Sequence, residues 1–232
     1  MKNKILLLYF LLSCSVINAN QSSDFFNRSN SFFSKYINGT KVDYAAIQSN
    51  KDELDQLVKQ IASFQLTSEE NTNKAFLINA YNVLVISGIV KKYPVNSPMD
   101  IAGFFDKIKY NIAGKSLTLN EIENKLIRDK YKDARFHFVL VCGAMGCPPI
   151  ISKAYFPETI EKQLEEQTSK ALNDPNFLKI YKDKIYLSQM FDWYKADFGK
   201  NPIQFINQYR KEKLDENEKY KLYKYNWSLN KK

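Results

Sequence analysis

The sequence predicts an α+β fold, in which several helices surround a small mixed or antiparallel sheet within a single domain. The chain has 232 residues, 44% of them hydrophobic, which is enough for one sizeable core and excludes global disorder. Residues 73–94 are apolar nearly all round, as is typical of a buried central helix. Short segments of alternating character on either side of turns predict the sheet.

The first part of the domain is predicted to be helical. Residues 20–39, which contain two pairs of phenylalanines, form a helical lead-in. A second helix covers residues 51–64, because apolar residues recur there at helical spacing (Leu54, Leu57, Val58 and Ile61). The central helix of residues 73–94 follows, and Pro94 and Pro98 end it.

The second part mixes strands and helices. Residues 105–119 predict a hairpin that turns at Gly114, and Thr118 with Glu121 forms a capping box that starts the next helix. Residues 135–142, rich in Phe, Val and Leu, predict an inner strand of the sheet. The remaining elements are a helix after Pro157, a hairpin over residues 177–188, helices over residues 189–199 and 202–209, and a closing strand over residues 220–227.

Residues 1–19 have the three parts of a secretory signal peptide. Lysines precede a short apolar run, and small residues allow cleavage after Ala19. The run is too short to span a bilayer, which needs about 20 residues. The alternative is lipoprotein processing with a lipid anchor at Cys14. We therefore expect export to the periplasm or cell envelope, no transmembrane span, and a domain proper over residues 40–230.

Charge limits the choice of partners. The formal net charge of +9 falls to +7 when Lys2 and Lys4 leave with the signal peptide (9 minus 2). The remaining lysines are scattered among acids, which is typical of a solvated basic surface rather than a nucleic-acid site. We expect no nucleic-acid partner; the partner would be an unknown small molecule or an envelope component, with weak attraction to an anionic envelope.

Cysteine and histidine usage limits metal chemistry. Export favours a disulfide between the two cysteines that remain after cleavage, Cys142 and Cys147. Together with His137, the only histidine, they are too few for a zinc site, which needs four ligands or three plus water. We therefore predict no metal and no cofactor.

The stretch "RFHFVLVCGAMGCPPI", residues 135–150, holds the candidate site. If its first half is a strand, side chains alternate between two faces, so His137 and Cys142 point to opposite sides. Cys147, which lies beyond two glycines, is the better thiol to meet His137. A thiol becomes a nucleophile when a base or positive charge lowers its pKa, and His137 with Arg135 would supply both.

Two asparagines, Asn79 and Asn82, stand three residues apart on one face of the apolar central helix. Buried amides need partners, so these would bond to backbone, orient the histidine or stabilise an oxyanion. The candidate catalytic residues are Cys147, His137 and Asn82, and the candidate binding residues are Asn79, Arg135, Tyr81 and Cys142. Each also has a structural interpretation, as a core residue, a half-cystine or a hydrogen-bonded bridge.

Seven motifs follow one another in a recognisable order: "KAFLINAYNVLVISG", "YPVNS", "IAGKSLTLNEIENKLIR", "RFHFVLVCGAMGCPPI", "AYFPETIEKQLEEQ", "LSQMFDWYKADFG" and "YNWSLN". In these motifs, across residues 40–230, the chain resembles the domain of unknown function 547 family, as an exported bacterial member. The family has no established reaction, so the resemblance implies little about activity. Where family members often carry a histidine after "IE", this chain has Asn124, which argues against any two-histidine mechanism.

Three functions from different classes remain open. The first is an exported domain that binds a ligand or partner in a polar His/Cys/Asn pocket. The second is a thiol-dependent hydrolase or acyl transferase, loosely similar to papain- or transglutaminase-like enzymes, that uses Cys147 and His137. The third is a thiol–disulfide protein, which the four-residue spacing disfavours because redox motifs usually place two residues between the cysteines. The binding domain is the interpretation that we prefer.

Overall fold

The computed structural model describes residues 22–232. The predicted signal peptide, residues 1–19, and the candidate lipidation site Cys14 lie outside this range. Within it, helices and small sheets occur in one α+β arrangement, and this confirms the predicted fold class.

The helices are α1 (residues 22–36), α2 (Tyr44–Ser49), α3 (Asp52–Ser63), α4 (Glu70–Val90), α5 (Leu119–Glu121), α6 (Asp129–Tyr131), α7 (Ile160–Leu172), α8 (Met190–Trp193) and α9 (Pro202–Tyr209). A π-helical segment, Ile122–Arg128, joins α5 to α6 as one continuous helix. Short 3-10 helices occupy Pro98–Asp100, Ala134–Phe138 and Lys195–Asp197. The predicted capping box is present, because the Thr118 side chain accepts from Glu121 N and Glu121 accepts from Thr118 N.

The strands are β1 (Ile37–Asn38), β2 (Lys41–Val42), β3 (Lys109–Ile112), β4 (Lys115–Thr118), β5 (Lys179–Tyr181), β6 (Lys184–Ser188) and β7 (Tyr220–Tyr223). Antiparallel pairs join β1 to β2, β3 to β4 and β5 to β6. Strand β7 adds to β6 in parallel, so the three-stranded sheet is mixed. The predicted hairpins are confirmed, and Gly114 takes the positive φ of 73° that the first one needs.

Helix α4 is the centre of the molecule. Every residue from Ala75 to Val90 is buried, as expected from a helix that is apolar on all sides. Helix α4 is long and apolar enough to cross a membrane, but 94% of its apolar 18-residue stretch is buried inside the domain. It is therefore a core helix.

Two hydrophobic clusters pack side by side. The larger surrounds α4 and includes the phenylalanines of α1, so the lead-in helix is part of the core (Phe25, Phe26, Phe32 and Phe33). The smaller lies between the β5–β6–β7 sheet and α9, and includes Phe138, Leu187 and Ile203. Helix α7 borders both clusters, since Leu164 belongs to the larger and Leu172 to the smaller.

Residues 135–142 do not form the predicted inner strand. They begin in the 3-10 helix Ala134–Phe138 and continue without strand pairing. The reason lies in α4, where the Asn82 Nδ2 donates to Val139 O and the Asn82 Oδ1 accepts from Val141 N, both at 3.0 Å. A side-chain amide thus occupies the hydrogen-bonding groups that a neighbouring strand would use.

Candidate functional site

A cavity of about 280 Å³ opens where the two hydrophobic clusters meet. Polar groups and sulfur atoms share its wall with a large aromatic surface. The lining residues are Tyr81, Met99, Phe105, Asn120, Glu123, His137, Leu140, Cys142, Cys147, Pro148, Met190, Trp193, Tyr194, Tyr225 and Trp227. The cavity therefore contains four of the predicted site residues: His137, Cys147, Cys142 and Tyr81.

His137 is held by an acid that sequence analysis did not single out. Its Nε2 lies 2.7 Å from Asp197 Oδ2, and the Arg128 Nε donates to the same oxygen at 2.7 Å. The hydrogen bond from His137, together with that from Arg128, holds the pKa of Asp197 well below its usual range. Asp197 is therefore a carboxylate at neutral pH, and it fixes the orientation of the imidazole.

The 3-10 helix Ala134–Phe138 positions the imidazole. Asp133 caps this helix by accepting from Arg135 N, and the His137 ring then packs on Tyr194 at 4.1 Å and on Phe198 at 5.3 Å between ring centroids. Only 3% of the His137 side chain is exposed. The ring is thus buried against aromatic neighbours, with one nitrogen engaged by Asp197.

Glu123 places a second carboxyl group in the wall. The Tyr81 hydroxyl donates to Glu123 Oε2 at 3.2 Å, in a buried position. Burial, and secondarily the charge of Glu123, raises the pKa of Tyr81 and of Tyr194, so both phenols remain protonated donors. Glu123 belongs to the π-helical segment Ile122–Arg128, a type of helix that is rare and often found at functional sites.

The two cysteines form a disulfide, as favoured by the sequence. The Tyr225 hydroxyl lies 3.1 Å from each sulfur, and Cys142 N donates to Cys147 Sγ at 2.9 Å. The intervening loop is tied to the end of the chain, because Met145 N and Gly146 N each donate at 2.8 Å, to Ser228 O and Asn226 O respectively. The cavity wall at this point is a half-buried disulfide held in place by backbone pairing.

The expectation that Arg135 and an asparagine share the cavity is wrong. Asn79 donates to Tyr155 O at 2.7 Å and accepts from Tyr155 N at 3.0 Å, so both candidate asparagines of α4, Asn79 and Asn82, bond to backbone. Arg135 pairs with Asp133 and Glu161, each at 2.6 Å, away from the cavity. The three residues therefore support the wall rather than face the cavity.

The expectation that His137 and Cys142 face opposite ways is also wrong, because it depended on the strand. In the 3-10 helix and the extended segment after it, the two-residue alternation does not apply, and both residues line one cavity. Asn124, at the position where the family often has histidine, lies outside the lining and accepts from Arg128.

A cluster of aromatic side chains, here called the aromatic wall, lines the same cavity. Trp193 and Trp227 are stacked at 5.8 Å with 23° between their planes, and Tyr225 lies 5.0 Å from Trp193 and 4.8 Å from Trp227. Trp193 is 46% exposed, which is unusual for an aromatic residue in a cluster. The sequence signal for this wall was the pair of motifs "DWYKADFG" and "YNW", which are far apart in the chain and whose convergence only the fold shows.

These features define a class of protein: an α+β domain with a disulfide-bounded, aromatic cavity at the junction of two cores. Residues 65–171, a little less than half of the chain, match the sequence model of a family described as "Protein of unknown function, DUF547", and this match supports the resemblance to the domain of unknown function 547 family. No curated protein and no solved structure matches the chain. The matched residues contain His137, Glu123 and the disulfide, whereas Asp197 and the aromatic wall lie beyond them.

Proposed function

We propose that the protein is an exported envelope domain that binds a small ligand in this cavity. The observation that carries the proposal is the composition of the wall, a large apolar and aromatic surface with a few convergent polar groups, which is typical of small-molecule sites. A volume of about 280 Å³ favours a ligand of modest size. Export is supported by the N-terminal sequence and by the disulfide.

The cavity wall offers a ligand two kinds of contact, apolar and polar. Trp193, Trp227 and Tyr225 offer flat apolar surfaces to a ring or to the apolar face of a sugar. His137 and Glu123 offer polar contacts whose orientation is fixed by Asp197 and Tyr81. Because the cysteines are paired, neither sulfur is a nucleophile in this state.

Trp193→Ala tests the proposal. The probes are phenylacetate, choline and N-acetylglucosamine, and binding is followed by intrinsic tryptophan fluorescence and by the shift in melting temperature. We expect at least one probe to bind, and its affinity to fall about tenfold in the variant, because the variant loses both the stacking contact, which contributes roughly 0.5–1.5 kcal/mol, and the apolar area that Trp193 buries with the probe.

Leu66→Ala is the matched control, since Leu66 is similarly exposed, at 40%, and lies outside the cavity. It should leave probe binding unchanged. The proposal fails if a probe that binds the wild type binds Trp193→Ala equally well, or if none of the three probes binds.

A second candidate is a thiol-dependent hydrolase or acyl transferase that is active only when reduced. The observation that favours it is the His137–Asp197 pair in the same cavity as Cys147, since a base oriented by an acid activates a neighbouring nucleophile in such enzymes. After reduction, iodoacetamide should alkylate Cys147 near neutral pH faster than it alkylates free cysteine. The rate should fall in Asp197→Asn, and a rate equal to that of free cysteine would exclude this function.

A further inference from the structure

Glu123 is a buried acid without a basic partner. It is the sole carboxylic acid among the described residues that line the cavity, and neither lysine nor arginine is found among them. Only 8% of Glu123 is exposed, and the ion pairs found within residues 22–232 do not include it. Its hydrogen-bond donor is the neutral Tyr81 hydroxyl, at 3.2 Å. Because buried charges are usually paired with opposite charges, Glu123 favours a ligand that supplies a positive charge.

Arg128 does not supply that charge, because it is committed to Asp197. Its Nε donates to Asp197 Oδ2 at 2.7 Å. This hydrogen bond is the main cause that raises the pKa of Arg128, and the charge of Glu123 is a smaller one. The guanidinium lies outside the cavity lining, over the Tyr194 ring at 4.7 Å from its centroid. The negative charge of Asp197 is thus offset within the protein, whereas Glu123 is open to a ligand.

The aromatic wall offers ring faces to a cation. A positive charge is attracted to the face of an aromatic ring, most strongly to that of tryptophan, and this wall contains Trp193, Trp227 and Tyr225. The lysines and the arginine that lie over aromatic rings within residues 22–232 use other tyrosines. No basic side chain of the described chain therefore occupies the wall.

The acid and the aromatic wall are within reach of one small ligand. Both line the same cavity of about 280 Å³. The pKa of Tyr225 is raised by burial and, less strongly, by the charges of Tyr223 and Glu123. The charge of Glu123 therefore acts on the wall as well as on its own hydrogen-bond partner.

We infer that the ligand of this cavity is a small organic cation, such as a quaternary ammonium compound, whose charge lies between Glu123 and the aromatic wall. The inference rests on the proposed ligand-binding function and specifies the class of ligand. An anion would meet the acid with no lysine or arginine in the described lining to offset it. An uncharged ligand would bury the acid further without a counter-charge. A cation supplies the counter-charge and also gains contacts with the rings.

The test compares choline with its uncharged carbon isostere, in which a tert-butyl group replaces the trimethylammonium group. Both compounds are titrated into the full chain, and binding is followed by tryptophan fluorescence and isothermal titration calorimetry. We expect the wild type to bind choline about tenfold more tightly than the isostere, because the two compounds have the same shape and differ in charge. Phenylacetate, an anion, should bind more weakly than choline.

Glu123→Gln separates the charge of the acid from the shape of the cavity. The amide keeps the size of the side chain and an oxygen that accepts from Tyr81. The preference for choline over the isostere should therefore fall from about tenfold to about threefold or less. Glu166→Gln is the matched control, because it removes the same charge from an exposed position of α7 outside the cavity. It should keep the wild-type preference.

The outcomes separate this inference from the proposed function. Equal affinities of the wild type for choline and the isostere would overturn the inference but leave ligand binding in the cavity intact. Binding of phenylacetate or N-acetylglucosamine without binding of choline would do the same. If none of the four compounds bound, the proposed function itself would fail. A preference that is unchanged in Glu123→Gln would also overturn the inference, and the wild-type comparison decides the matter even if circular dichroism shows that this variant does not fold.

Discussion

Helix α4 and the neighbouring residues 134–155 both contribute side chains to the core, yet different interactions hold them. Helix α4 satisfies its own backbone and is stabilised by burial on all sides. Residues 134–155 have little regular structure after the 3-10 helix, and discrete links hold them: two asparagine amides, one carboxylate and one disulfide. The sequence pattern of α4 is enough to predict its helix, whereas the conformation of residues 134–155 depends on partners far away in the chain.

The largest expected effect comes from removing one of those links. Asn82→Leu replaces a buried amide by an apolar group of similar size that is a better helix former. It nevertheless leaves Val139 O and Val141 N without their partners. Unpaired buried polar groups cost about 1–3 kcal/mol each, so we expect the free energy of unfolding to fall by roughly 2–5 kcal/mol in urea denaturation.

Ser87→Ala, in the same helix and equally buried at 2% exposure, is the control. No side-chain hydrogen bond of Ser87 is found within residues 22–232, so this change should alter stability by less than about 1 kcal/mol. If Asn82→Leu were as stable as Ser87→Ala, residues 139–141 would not depend on the amide, and the contrast between the two regions would be lost.

The fold was largely predictable because most elements carry their own signals. The apolar period of α3, the capping box at Thr118 and the turn at Gly114 are local, and each element appears as predicted. Residues 135–142 were wrongly predicted to form a strand. Their content of Phe, Val and Leu is typical of any buried segment, and not only of a segment that pairs with another strand. Here the burial is against a helix, and the Asn82 side chain replaces a strand partner.

The candidate site was only partly predictable. His137, Cys142, Cys147 and Tyr81 line the cavity, and scarcity or motif context drew attention to them. Asp197 lies 60 residues from His137 in sequence, and nothing in its local pattern indicates that it pairs with the imidazole. Asn79 and Asn82 were predicted to be functional because they are polar residues in an apolar helix. A buried amide that links the helix to the backbone of a neighbouring segment gives the same sequence pattern.

A smaller effect is expected from the disulfide, which closes a short loop within residues 134–155. Replacing both cysteines, Cys142→Ser/Cys147→Ser, should lower the free energy of unfolding by roughly 2 kcal/mol, because the loop is short and its closure removes little entropy from the unfolded chain. Reduction of the wild type should cause a loss of similar size. A double variant as stable as the oxidised wild type would show that the backbone bonds from Met145 and Gly146 suffice to hold the loop.

The smallest effect concerns the link between His137 and Asp197, and it depends on pH. The pKa of Asp197 is depressed in the folded protein, chiefly by His137 and also by Arg128, from an ordinary value of 3.8. A depressed carboxyl pKa contributes stability that is fully present above the unfolded value and is lost as the pH falls through the folded value.

Asp197→Asn should therefore be less stable than the wild type near neutral pH, by about 1 kcal/mol once solvent screening of this partly exposed group is allowed for. The difference should shrink as the pH falls below about 4, because residue 197 of the unfolded wild type then takes up a proton while the folded protein keeps its carboxylate until the pH reaches the lower folded pKa. Asp129→Asn, at an exposed acid outside the cavity, should follow the wild type at every pH. If Asp197→Asn and the wild type instead lost stability in parallel on acidification, the carboxylate would not be what holds His137 at the cavity.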